Sequence, residues 1–218
     1  IISGAGALAT IIDGATLDRV FHVIGGATVS ISGVKVQGGL ITAGGPGAPG
    51  GGILNAGTLT LSDSTVSGNQ ANFGGGVANT GTLTLNNSTI GVNTAGFGEG
   101  LYNGPAGTLN LNSSTVIGNV ASSNGAGIYS AGGSVTLTDS VVSSNSASSA
   151  GGGVYVQAGT FTVNNSTVSG NSATGISGVG GGVYVAGGTF TANSSTISGN
   201  NGAGDSGGGI YGASGSLT

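Results

Sequence analysis

The sequence predicts an all-β chain wound as a parallel β-helix, with three short strands per coil, eight to nine coils and a period of 24–29 residues. Three observations predict it. A glycine-rich opening recurs along the chain, each opening leads into strand-length stretches that alternate apolar and polar residues, and patterning at helical spacing is absent. The unit is Gly51–Asn69, GGILNAGTLTLSDSTVSGN, which returns as GGVANTGTLTLNNSTIGVN at 75–93 and GEGLYNGPAGTLNLNSSTVIGN at 98–119. It returns again from Gly125, Gly151 and Gly180, and in shortened form as GGGIYGASGSLT up to Thr218. The last glycine of each opening (Gly52, Gly76, Gly100, Gly127, Gly153, Gly182, Gly209) marks intervals of 24, 24, 27, 26, 29 and 27 residues. Units this short cannot bury their own apolar faces and must stack on one another.

Residues 1–49 read as irregular opening coils. Short apolar pieces, Ile11-Ile12 and Val20-Phe21-His22-Val23, alternate with Gly and Ala. From Thr28 the pattern is regular: TVSISGVKVQGG aligns with TLTLSDSTVSGN, setting Val29, Ile31, Val34 and Val36 against Leu59, Leu61, Ser64 and Val66. The insert from Leu40 to Pro49, with its glycines and two prolines, is expected to be a protruding loop. Residues 50–218 are regular repeats, the last one truncated.

Each unit offers three strands, typified by Gly-Ile-Leu-Asn, Thr-Leu-Thr-Leu and Ser-Thr-Val-Ser. Because successive strand side chains point to opposite faces, inward columns follow directly. One holds Leu59 and Leu61, Leu83 and Leu85, Leu109 and Leu111, Phe161 and Val163. A second holds Val66, Ile90, Val116, Val142, Val168 and Ile197, and a third Ile53, Val77, Leu101, Ile128, Val154, Val183 and Ile210. Three such columns make a triangular coil with a dry centre, stacked into a rod on the order of 40 Å long at the parallel strand spacing. Asn69, Asn93, Asn119, Asn145, Asn171 and Asn200 share one corner, where stacked amides can satisfy one another and the turn backbone. Ser64, Ser88, Ser114, Ser140, Ser166 and Ser195 do the same at another, and the glycines form the third.

Composition narrows the function classes. With 51 Gly but only 3 Pro and no G-X-Y period, collagen is excluded, and apolar residues recurring at fixed positions argue against disorder. Charged residues are 4%, against roughly 25% in an ordinary domain. Arg19 and Lys35 are the only basic residues, too few to neutralise a run of phosphates, so nucleic acid is not an expected partner. No apolar run approaches the ~20 residues of a spanning helix, so membrane insertion by this segment is not expected. Without Cys there are no disulfides or thiolate metal sites, and no cofactor or metal is expected.

Catalysis is not expected. The acids Asp13, Asp18, Asp63, Glu99, Asp139 and Asp205 are scattered; Asp63 and Asp139 share a column three coils apart, about 14 Å at the β spacing, and read as turn residues. His22 has no Ser or Cys partner in sight and reads as a surface residue. Calcium-binding GGxGxD repeats are missing, GAGDSGGG at 202–209 being a faint echo. Six N-x-S/T sequons at Asn86, Asn87, Asn112, Asn164, Asn165 and Asn193 read as turn residues that would carry sugar only in a glycosylating host.

Two outward columns are candidate surfaces. All five tyrosines, Tyr102, Tyr129, Tyr155, Tyr184 and Tyr211, follow the third inward column and form one outward stripe. In-register stacking would stabilise the sheet; equally, a row of Tyr is a contact surface for a sugar chain or a neighbouring rod. The other is a Thr-x-Thr array: Thr58 and Thr60, Thr82 and Thr84, Thr108 and Asn110, Ser134 and Thr136, Thr160 and Thr162, Thr189 and Thr191. It resembles the water-ordering face of β-solenoid antifreeze proteins, although Thr is also a generic outward strand residue.

The GGG[IV] openings, followed about twenty residues later by S-G-N, resemble the repeats of bacterial polymorphic outer-membrane proteins, autotransporter passengers and related surface adhesins. The opening IIDGATLDRVFHVIGGATVSISGVKVQGG is similar to the first turns of such proteins. The resemblance covers essentially the whole chain. It departs in having Val or Ile where those repeats carry the Phe of F-x-x-N, and no C-terminal barrel or anchor is expected within residues 1–218. It implies a right-handed parallel β-helix, an extracellular or bacterial cell-surface location, and a structural or adhesive role without a shared active site. A chain that starts inside a strand and stops one strand into a unit, with no polar cap, is expected to be a segment of a longer surface protein or to stack on itself. Expected partners are copies of itself, end to end or side by side, other surface proteins, or glycans. The alternative functions are ice or glycan binding and, further off, a polysaccharide lyase or hydrolase.

Overall fold

The computed structural model describes residues 1–41, 49–176, 178–203 and 207–218. Most of the expected loop at 40–49, and Asp205, lie outside these residues. Among the described residues every regular element is a strand, and every pairing between strands is parallel. One coil shows the path. Thr82–Asn86 runs along the first sheet, Thr89–Gly91 along the second, Thr94–Phe97 along a fourth, and Leu101–Asn103 along the third, before Thr108–Asn112 returns to the first one coil further on. The first sheet has nine strands, the second and third eight each, and the fourth five, which amounts to about eight turns of a β-solenoid.

The register is the one the repeats dictate. Leu83 pairs with Leu59 and Leu109, Ile90 with Val66 and Val116, and Leu101 with Val77 and Ile128. These side chains meet in one continuous core and are fully or almost fully buried, with Phe161 stacked on Phe190 near the C-terminal end at 5.8 Å between centroids. Residues 1–27 supply a strand to each of three sheets, Ile2–Ser3, Ile11–Asp13 and Phe21–Val23, paired with Ile31–Ser32, Lys35–Gln37 and Ile53–Asn55.

The corners are built from residues that tolerate their backbone. Between the first and second sheets stand Asp63, Asn87, Ser113, Asp139, Asn165 and Ser194, all with φ between 47° and 50°. Short polar side chains are among the few non-glycine residues that take up this left-handed conformation. The Ser ladder follows one residue later: the N–H of Ser88 donates to Ser114 Oγ at 3.1 Å, and that of Ser114 to Ser140 Oγ at 3.1 Å. At the glycine corner the constraint is space. A Cβ on Gly76 would lie 2.6 Å from the carbonyl oxygen of Gly100 in the next coil, so no larger residue fits without spreading the coils.

The structure corrects the three-strand coil. The fourth sheet, comprising Thr94–Phe97, Val120–Asn124, Ser146–Ala147, Ser172–Ala173 and Asn201–Gly202, is a separate side with its own small core of Ala121, Ala126 and Ala147. Its strands are short and bury only alanines, so they leave no apolar alternation to read. Another buried column also went unpredicted. Asn55 donates to Asn79 Oδ1 and Asn79 to Asn103 Oδ1, each at 2.8 Å, inside the third sheet, before Ser130, Val156 and Val185 take over the position.

Candidate functional site

The core and corners are occupied in holding the rod together, so what remains for recognition is the outer surface. The predicted Asn corner is a buried hydrogen-bonded ladder. Asn69 donates through Nδ2 to Asn93 Oδ1 (3.1 Å), Asn93 to Asn119 (3.1 Å), Asn119 to Asn145 (2.9 Å), Asn145 to Asn171 (2.9 Å) and Asn171 to Asn200 (3.0 Å). Each Oδ1 also accepts the backbone N–H of the preceding ladder residue.

The Thr array is in register on the outer face of the first sheet. One row runs Thr28, Thr58, Thr82, Thr108, Ser134, Thr160, Thr189; a second runs Ser30, Thr60, Thr84, Asn110, Thr136, Thr162, Thr191. Parallel pairing sets neighbours in a row ~4.8 Å apart. A third row, Ser62, Asn86, Asn112, Thr138, Asn164 and Asn193, lies beside them. Four of the sequon asparagines are therefore in this row, where Asn112 donates to Asn86 and Asn193 to Asn164 at 2.9 Å. The other two, Asn87 and Asn165, are exposed at the corner and donate to Asp63 and Asp139. All three rows are free of charged side chains.

The tyrosines also form one column, but its orientation decides what it can do. Tyr102, Tyr129, Tyr155, Tyr184 and Tyr211 stack with centroids 4.8–5.6 Å apart and ring planes within 18° of parallel. Their faces cover one another; Tyr129 is itself buried, and at the other four, half-buried, solvent meets ring edges and hydroxyls. A sugar ring stacks on an aromatic face, and this stripe offers none along its length. Phe73 and Phe97, which the sequence reading left aside, close the N-terminal end, with Phe73 edge-on to Tyr102 at 5.2 Å and Phe97 edge-on to Tyr129 at 5.7 Å. Toward the N-terminus the column continues as Ala78, Leu54 and exposed His22. Desolvation raises the Tyr102 and Tyr155 hydroxyls and, with its two Tyr neighbours, pushes Tyr129 up to about 12, so these phenols remain protonated donors. Tyr129 uses its proton on Gln157 Oε1 at 2.8 Å.

Among the described residues the acids do not converge. Asp13 accepts hydrogen bonds from Gln37 and the Ala15 N–H, which hold it below the usual carboxylate range; Asp18 is 3.9 Å from Arg19; Asp63 and Asp139 occupy the corner described above. Among the described residues no three His, Asp or Glu side chains gather to hold a metal ion, and no helix is long and apolar enough to cross a membrane. Glu99 is different from the rest: it is fully buried, and neither carboxyl oxygen has a hydrogen-bond partner.

Comparison with protein-family models, with curated proteins and with solved structures finds no match to this chain. The parallel β-solenoid implied by the repeats is what the structure shows, and the comparisons add nothing on location or role.

Proposed function

We propose that the chain is a non-catalytic structural and adhesive β-solenoid of an extracellular or bacterial cell-surface assembly. The observation that carries it is the outer face of the first sheet, three continuous rows of hydroxyl and amide side chains with no charge to repel a partner. Such a face makes many weak, additive contacts, suited to lateral association of rods or to attachment to neighbouring surface macromolecules. The GGG[IV] and S-G-N motifs, similar to those of bacterial surface repeats, support the same setting.

The test is attachment of protein-coated beads to cells and to one another. Thr60→Lys, Thr136→Lys and Thr191→Lys together place separated like charges on the middle row without touching the core. Attachment should fall at least tenfold while the circular dichroism spectrum is unchanged. Equal attachment by this variant would remove the flat face from the account.

A second reading, ice binding, is favoured by the two Thr rows standing in register on one sheet. Thermal hysteresis in the wild-type protein, abolished by Thr84→Tyr, would support it; no hysteresis at millimolar protein ends it. Glycan binding along the tyrosine stripe is the less favoured alternative, because stacking hides the ring faces.

A further inference from the structure

Every glycine-rich opening has a middle residue, and this column runs Gly51, Gly75, Glu99, Ala126, Gly152, Gly181, Gly208. A side chain is ordinarily refused there. A Cβ on Gly75 would lie 2.4 Å from the Thr94 carbonyl oxygen, and one on Gly152 2.3 Å from that of Ser172. Glu99 is accommodated where the fourth sheet is locally enlarged: Thr94–Phe97 and Val120–Asn124 are its longest strands, and their register shifts between Ala95 and Phe97. The carboxyl is sealed inside at 0% exposure beside the alanine core, with both oxygens unpartnered.

No counter-charge is available. From Ser64 to Thr138, Glu99 is the only Asp, Glu, Lys, Arg or His. The strands around it, Val77–Asn79, Thr94–Phe97, Leu101–Asn103, Val120–Asn124 and Ile128–Ser130, carry as titratable groups only Tyr102 and Tyr129, which belong to the outward column. Asp63 and Asp139 sit at the corner between the first and second sheets, on the far side of the coil. A carboxylate in this place would be an uncompensated buried charge, which proteins avoid by keeping the group neutral or by opening.

We propose that Glu99 is a proton-operated latch on the fourth sheet: protonated, it lies inside the rod, and loss of the proton releases the strand pair Thr94–Phe97 and Val120–Asn124 to solvent. Burial pushes the carboxyl from 4.5 to about 9; its own and Ser122's backbone N–H groups pull it back only in part, and neither closes to a hydrogen bond. The sign follows from linkage. In the opened state the group ionises at its ordinary value and in the closed state only near pH 9, so between these limits the opened state binds fewer protons. Closure is therefore strongest below about pH 4.5, weakens as pH rises, and levels off above about pH 9. Each pH unit in that window eases opening about tenfold, and at pH 7 opening is about 300-fold easier than in acid. The fourth sheet is the element to yield, because it has the fewest strands and only alanines beneath it.

The test is amide hydrogen exchange across pH 5–9, expressed as protection relative to the unstructured rate at each pH, for wild type, Glu99→Gln and Glu99→Ala. In the wild type, protection at 94–97 and 120–124 should fall about tenfold per pH unit. In both neutral variants that slope should vanish, while protection of the first sheet is the same in all three proteins. Infrared spectroscopy at pH 7 should show a protonated-carboxyl stretch in the wild type that Glu99→Gln removes. Parallel pH profiles in the three proteins, no such stretch, or failure of both neutral variants to fold would each overturn the proposal.

Discussion

Replacing Asn119 by Ala removes the middle rung of the buried Asn ladder. Its Oδ1 accepts the backbone N–H of Asn93 at 3.0 Å and the Asn93 Nδ2 at 3.1 Å. Its Nδ2 donates to the carbonyls of Ile90 and Ile117, both at 3.2 Å, and to Asn145 Oδ1 at 2.9 Å. Some partners keep other bonds: Asn93 Nδ2 retains Val66 and Gly91, and Asn145 Oδ1 retains the N–H of residue 119. The Asn93 N–H loses the acceptor the ladder gave it, in a dry interior, at a cost of about 1–3 kcal/mol. With the remaining bonds at a net ~0.5–1.5 kcal/mol each and incomplete independence among them, the expected loss is about 3–4 kcal/mol. Asn200 provides the internal comparison. It accepts from Asn171 in the same way but is only partly buried, so water replaces what Ala cannot, and the expected loss is about 1–2 kcal/mol. The assay is guanidinium unfolding followed by far-ultraviolet circular dichroism and by tyrosine fluorescence, which reports the stack because the chain has no Trp. A loss below about 1 kcal/mol for Asn119→Ala, or equal losses at both positions, would refute the idea that ladder amides stabilise by satisfying buried backbone.

Val92 occupies the corner where other coils have Gly68, Gly118, Gly170 and Gly199, and takes φ 55° while 69% exposed. A left-handed L-residue costs about 1–2 kcal/mol, partly offset by the greater freedom of an unfolded glycine, so Val92→Gly should stabilise the rod by about 0.5–1 kcal/mol in the same unfolding assay. Tyr155 has stacked neighbours at 4.8 and 5.0 Å, and Tyr155→Leu should cost about 1–3 kcal/mol and reduce the near-ultraviolet dichroism of the remaining tyrosines. An unchanged midpoint would show that the stack carries no stability.

The inward columns and the Asn and Ser corners were legible because alternation along a strand is a local property and the repeat displays it many times over. Thr-Leu-Thr-Leu assigns its faces without reference to anything else in the chain. The second Asn column was within reach by the same means, since Ile-Leu-Asn, Val-Ala-Asn and Leu-Tyr-Asn align on the glycine marker as Asn55, Asn79 and Asn103. The fourth sheet was not: strands of two residues such as Ser146–Ala147 are too short to show a period.

The amino-acid sequence by itself determined that the chain is a stack of parallel coils, which residues fill it and which line its outer face, because register in a repeat follows from counting residues. Tertiary structure alone decided that the tyrosines present edges and hydroxyls, since ring orientation depends on the coils above and below. It likewise decided that Glu99 is sealed in without a partner, because the cost of a charge is set by everything packed around it.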